Sequence, residues 1–238
     1  MVLAFAAFAQ KEQNAEGTRQ LYYLGTETPA EKTAPSPSSK PPAIVHLGLR
    51  YNVVLIGEND RREEISSNRV LKDGDCFAID LQTNHTGYLY VLARQSSGSW
   101  MPLFPSPDMA GLSNQIEPFK KVEVPKGYCF TVHKPAGKET LFVVFSRDKK
   151  DFFELYESMK ARQEKGSAAS PDMQMAEAKQ MDAAVEHLNE KFGGSRDLSI
   201  TRVPEPVKKD EPRGAVYVVN TSGRPSSSLV TKIEILHR

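Results

Sequence analysis

From Gly87 to Arg94 the chain reads Gly-Tyr-Leu-Tyr-Val-Leu-Ala-Arg, apolar or aromatic at every position from Tyr88 to Ala93. That run is too dense for a half-exposed strand and too short for an ordinary helix, so it predicts a strand covered on both faces. The polar Gln95-Ser-Ser-Gly98 that follows can turn the chain. Trp100, the sole tryptophan, opens the return strand, and Pro102 and Pro105 limit how far that strand can pair within a sheet. The pattern is that of a β-hairpin at the centre of a sandwich.

The same reading extends in both directions. Apolar positions between Ile44 and Ile56 predict a long strand that stops at Gly57-Glu-Asn-Asp60. Asp73-Gly74 marks a tight turn, after which Phe77, Ile79 and Leu81 alternate with Cys76, Ala78, Asp80 and Gln82, as in a strand with one buried face. Beyond an irregular stretch, 106–118, short strands are expected at Val122–Val124 and Tyr128–His133, the latter with Tyr128, Phe130 and Val132 on one face. Pro135-Ala-Gly-Lys-Glu139 turns into Thr140–Ser146, a second strand apolar on both faces. Short strands separated by Gly, Pro and Asn turns predict an antiparallel, immunoglobulin-like β-sandwich.

After Arg147 the period changes to that of helices. Phe152, Leu155, Tyr156 and Met159 predict one amphipathic helix over 151–165. Ser170 can cap a second, with Pro171 at its first position and Met181, Val185, Leu188 and Phe192 along one stripe before Gly193-Gly194. The stripe reads as a packing face, not a cofactor box. A strand at Leu198–Val203 and a closing hairpin, Ala215–Asn220 with Leu229–His237, return the chain to β structure. The helices, 151–194, are therefore an insertion before the C-terminal hairpin, inside a β-sandwich domain spanning 43–238.

Residues 10–42 form a mixed segment with the apolar tetrad Leu21-Tyr-Tyr-Leu24, expected to be loosely docked, and a Pro/Ser-rich linker. Residues 1–9 are continuously apolar and end in Ala7-Phe8-Ala9, the small-x-small form of a signal-peptidase site. They read as a signal-peptide remnant and point to a periplasmic or extracellular address. No later run approaches the ~20 apolar residues of a membrane-spanning helix. Lys and Arg total 31 against 30 Asp and Glu, and Lys120-Lys121 and Lys149-Lys150 are too sparse for a phosphate-tracking face. Nucleic acid is not an expected partner.

Cys76 and Cys129 each begin a predicted strand. If those strands are antiparallel neighbours, their beginnings lie at opposite ends, whereas a bridge needs Cα atoms within about 7 Å. Two unpaired thiols are expected. The histidines His46, His85, His133, His187 and His237 are scattered without metal-ligand spacing, and neither nucleotide-binding glycine loops nor a nucleophile elbow occurs. Asp73-Gly-Asp75 lacks the further carboxylates of a calcium loop and reads as a turn. No catalytic residue, metal or cofactor is expected.

The succession Gly74-Asp75, Gly87-Tyr-Leu-Tyr-Val-Leu92, Gly98-x-Trp100, Leu103-Phe-Pro105, Asn114, Val124-Pro125 and Gly137-x-Glu139 leading into Leu141–Ser146 resembles a bacterial domain-of-unknown-function family, number 4384, over about residues 47–150. The resemblance implies an extracytoplasmic or signalling-associated β-sandwich module, found alone behind a leader and Pro-rich linker or joined to caspase-like peptidase and kinase domains. It implies that catalysis belongs to such attached domains, and it supplies no ligand.

The expectation is thus a non-enzymatic, exported interaction module of the bacterial envelope with an envelope protein as partner. Two alternatives remain. One is a carbohydrate or peptidoglycan binder using Trp100 with Tyr88 or Tyr90, since ring faces on a sheet can stack on sugars as readily as fill a core. The other is a hydrolase with an unfamiliar site around Asp80, His85 and His133.

Overall fold

The structure, a computed structural model, describes residues 17–24, 46–94, 100–105, 114–148, 161, 170–188, 198–202, 214–223 and 228–238. The apolar N-terminus, the Pro-rich linker, most of the first predicted helix and the hairpin turn before Trp100 lie outside these residues. The fold is mainly β: two antiparallel sheets face each other across one apolar core.

Strands β1 (Leu47–Ile56), β2 (Arg62–Ile65), β3 (Cys76–Thr83), β7 (Val122–Val124), β8 (Phe130–Thr131), β10 (Leu198–Arg202) and β11 (Val216–Asn220) make a seven-stranded sheet, ordered β10-β11-β1-β3-β7 with β2 beside β1 and β8 beside β3. Strands β4 (Gly87–Arg94), β5 (Trp100–Phe104), β6 (Gln115–Ile116), β9 (Gly137–Ser146) and β12 (Ser228–His237) make the second, ordered β12-β9-β4-β5 with β6 beside β4. Alternate residues point inward, as the pleat requires. Leu49, Tyr51, Val53, Ile79 and Leu81 of the first sheet meet Leu89, Val91, Val143, Phe145 and Ile233 of the second.

The doubly apolar strands have a physical explanation. Odd-numbered residues of β4 and β9 fill the sandwich core, while Tyr90, Leu92, Phe142 and Val144 on the opposite face form a second apolar layer. Helix α2 (Pro171–Leu188) covers that layer with Met181 and Val185. Ser170 caps the helix, its Oγ accepting the Met173 N–H at 3.3 Å. Gly87 opens β4 where no side chain fits, because a Cβ there would lie 2.6 Å from the Ser146 carbonyl oxygen.

Five expectations need correction. The last two strands do not form a hairpin: β11 pairs with β1 and β10, whereas β12 pairs with β9 along its whole length. Each seeks a core, but on opposite layers, and a side chain bond from Asn220 Nδ2 to the Ser228 carbonyl (2.8 Å) spans the crossing. Cys76 and Cys129 are bridged, with Cα atoms 5.6 Å apart. The strand after Cys129 is only two residues long and pairs with the very start of β3, Cys76 opposite Thr131, so both cysteines lie at the same end. That brevity also leaves Tyr128 exposed instead of sharing a face with Val132. The outer face of β3 is buried too, at Ala78 and Asp80. Finally, the Leu21–Leu24 tetrad belongs to a helix, α1 (residues 17–24), whose Tyr22 is fully buried against the first sheet.

Candidate functional site

The residues singled out as a stacking platform sit between the second sheet and α2. Trp100 is 7 % exposed and packs on Phe142, ring centroids 4.8 Å apart. Its indole Nε1–H donates to Asp182 Oδ1 of α2 at 2.9 Å, while Arg94 Nη2 donates to Asp182 Oδ2, also at 2.9 Å. Tyr90 is fully buried and Tyr88 half-buried in the same cluster. Trp100 and Tyr90 fill an interior layer, and Tyr88 packs against it.

Asp80, His85 and His133 do not converge. Asp80 lies midway along β3 on the outer face, with Oδ2 paired to Lys121 Nζ at 2.5 Å. His85 is buried just past the far end of β3, and His133 is exposed beyond Thr131, the residue opposite Cys76 at the near end. At about 3.3 Å per residue, the nine positions from Cys76 to His85 put the two histidines about 30 Å apart. Among the described residues no group of three or more His, Cys, Asp or Glu could hold a metal ion. The Asp73–Asp75 turn instead bonds internally, Lys72 N–H to Asp75 Oδ2 at 2.8 Å.

The outer face of the seven-stranded sheet is more elaborate than the sequence foretold. Asn84, fully buried after β3, accepts the Gly48 N–H at Oδ1 (2.6 Å) and donates from Nδ2 to the carbonyls of His46 (2.8 Å) and Tyr22 (3.0 Å). It thereby ties α1 to the first strand. The Tyr22 ring lies over Gly48, where a Cβ would come within 2.7 Å of it. Edge-on contacts to Phe119 and Tyr217, at 5.8 and 5.3 Å, complete the cradle. Tyr23 stacks on Phe119 at 6.2 Å and remains 46 % exposed, with Leu24 exposed beside it. Arg19, Gln20, Tyr23 and Leu24 line a cavity of about 530 Å³.

Beside the cradle runs a row of buried or half-buried polar side chains. Arg50 donates to Gln82 and Asn52 to Glu64, both at 2.8 Å. Arg62 pairs with Glu123 further along. Burial raises the Glu64 carboxyl above its ordinary range, an effect that Arg50 opposes and Asp80 reinforces. A single sequence cue hinted at this face, the polar outward positions of β1 and β3, and it says nothing of α1.

Two results are expected from the cradle. Gly48→Ala should destabilise the docked state by about 1–3 kcal/mol through overpacking, exposing 17–24 to hydrogen exchange. Tyr22→Phe should leave α1 docked, because among the described residues the buried Tyr22 hydroxyl has no hydrogen-bond partner to lose. Loss of protection in the phenylalanine variant would show that the hydroxyl matters.

The cradle also sets an alkaline limit. Burial pushes the Tyr22 phenol above its ordinary value, and burial followed by the Tyr23 hydrogen bond pushes Tyr217 up to about 12. Folded values above the unfolded phenol value of ~10 mean stability fully present below that pH and lost as pH climbs towards 12. Denaturant unfolding followed across that interval should show the decline in the wild type and a shallower one in the Tyr22→Phe/Tyr217→Phe double variant. Parallel curves would remove the two phenols as its cause.

Residues 70–149 match the model of the family described as "Domain of unknown function (DUF4384)". The match covers about a third of the chain, β3 to β9, and starts later than the expected 47–150. No curated protein matches the chain. No solved structure matches it either.

Proposed function

We propose that the chain is a non-enzymatic interaction module exported to the bacterial envelope, and that its working surface is the outer face of the seven-stranded sheet around Tyr22. The observation carrying this reading is the cradle itself: Asn84, Gly48, Phe119 and Tyr217 hold a short helix through one inserted aromatic side chain. Beside it Tyr23 and Leu24 leave apolar surface uncovered, next to the cavity. Apolar surface rimmed by polar groups is characteristic of protein-binding faces. The Cys76–Cys129 bridge fits an oxidising compartment, as does the apolar N-terminus ending in Ala7-Phe8-Ala9.

Cell fractionation with thiol trapping tests the address; the expected protein is periplasmic or extracellular, begins at Gln10 and carries no reactive thiol. A photo-crosslinking residue at Leu24 tests the surface in the native cell. A discrete adduct with an envelope protein is expected there and not from a control position such as Glu63. Cytoplasmic protein with free thiols, or equal labelling from both positions, would sink the reading.

A further inference from the structure

We infer that the cradle around Tyr22 is a peptide-binding site, that α1 occupies it as a tethered stand-in, and that its intended ligand is a short helical segment of a partner protein with phenylalanine at the Tyr22 position. The inference rests on the outer face of the seven-stranded sheet being the working surface, and not on the protein's address. Helix α1 covers residues 17–24, well under the ~12–15 residues at which an isolated helix becomes stable. Thr18 and Tyr22 are its buried residues, with Leu21 packing at the margin. What holds it is therefore recognition of one ring and one carbonyl. The ring lies over Gly48, where a Cβ would come within 2.7 Å of it, between the walls Phe119 and Tyr217. The carbonyl accepts from Asn84 Nδ2 at 3.0 Å. Asn84 is held in place without α1, by the Gly48 N–H at 2.6 Å and the His46 carbonyl at 2.8 Å. Every residue type offers that carbonyl, so the selective element is the aromatic recess.

The phenol is where the resident side chain fits least well. Tyr22 is fully buried, and among the described residues its hydroxyl has no hydrogen-bond partner. A hydroxyl taken out of water without a partner loses the bonds it made there, whereas a phenylalanine ring has none to lose. A segment with phenylalanine at this position should therefore bind about tenfold tighter or more. Tyr22 holds its place through its tether. Residues 25–45, with Pro29, Pro35, Pro37, Pro41 and Pro42, join α1 to the first strand and reach at most about 70 Å. A tether of this kind keeps a weak ligand at an effective concentration of order millimolar. The tethered helix covers an apolar recess that would otherwise be exposed. It also lowers a partner's apparent affinity by the fraction of time the cradle stands open. Tyr23 and Leu24, exposed beside the cavity, offer a partner its first contact before the exchange.

Fluorescence anisotropy with two labelled peptides, residues 15–26 and the same sequence carrying Tyr22→Phe, tests this on the full chain. The full-length Tyr22→Ala variant has lost its own plug and should bind both, the phenylalanine peptide about tenfold tighter. Wild type should bind that peptide about tenfold more weakly than the variant does, or less still, and binding should open 17–24 to hydrogen exchange. Adding Gly48→Ala or Phe119→Ala to the Tyr22→Ala chain should weaken the peptide by a further tenfold or so. Phe119→Ala spares the fold, since the Phe119 bonds to Thr83 (2.7 Å) and Gln82 (3.1 Å) use its backbone alone; circular dichroism should confirm this. A natively folded Tyr22→Ala chain that binds neither peptide would overturn the proposal. So would equal affinity for the two peptides, binding indifferent to both wall variants, or binding that leaves 17–24 protected. Any of these beside a discrete Leu24 crosslink in the cell would end the exchange and keep the surface; peptide exchange without that crosslink would do the reverse.

Discussion

Trp100→Ala is expected to lower stability by about 3–5 kcal/mol, the usual cost of emptying a buried aromatic site, and to release α2 from the second sheet. The side chain is 7 % exposed, leans on Phe142 and supplies the indole N–H that holds Asp182. Removing it opens a cavity and also takes away one of the two donors that hold Asp182 of α2, leaving Arg94 as the other. Two milder changes separate these contributions. Asp182→Asn keeps an acceptor for the indole while ending the Arg94 ion pair, and surface pairs of that kind contribute about 0–1 kcal/mol. Asp182→Leu leaves a buried N–H unsatisfied, at about 1–3 kcal/mol. Urea unfolding should therefore rank the variants Asn, Leu, then Ala at position 100. Wild-type emission should be blue-shifted and poorly quenched by acrylamide. A Trp100→Ala variant within 1 kcal/mol of wild type would mean that α2 does not rest on that ring.

Replacing both cysteines by alanine is expected to cost about 4 kcal/mol. The bridge spans a sequence separation of 53 residues, and closing a loop of that size in the unfolded chain accounts for that amount in the chain-entropy description. The structural reason for the site is equally plain. β7 and β8 have three and two residues and depend on β3 for pairing, so the bridge fastens short strands that could hardly hold themselves. Reduction of the wild type should reproduce the loss. Unchanged melting after complete reduction would assign the bridge no role in stability.

The strands that carry a core were legible because their patterns are strong. β1, β3, β4, β9 and β12 bury the inward residues that alternation or density foretold. The second apolar layer was also legible, as strands too hydrophobic for a single core. What stayed hidden depends on partners remote in sequence. β2, Arg-Glu-Glu-Ile, has one apolar residue and exists because Val53–Ile56 pairs with it. Tyr22 gave no sign of burial, since its cradle is built from Gly48, Asn84, Phe119 and Tyr217. The fate of the last two strands could not be read from local pattern at all, because a hairpin and a sheet crossing impose the same alternation on each strand. The aromatic residues Tyr88, Tyr90 and Trp100 stand out in the sequence and fall in one cluster, and only the three-dimensional position of α2 tells what they face.

That crossing between β11 and β12 has a temporal consequence. The partner of β9 is the last strand, and the partner of β1 on one side is β11, so both sheets stay open while the helical segment is being made. The ribosome must add about 90 residues after Ser146 before β12 is complete. At 5–20 residues per second, that is roughly 5–20 s. During this interval β9 presents a bare ten-residue edge, apolar from Leu141 to Phe145, with nothing of its own to pair with. A nascent chain in that condition is a natural client for a holding chaperone, and delivery across a membrane before folding would spare it the exposure.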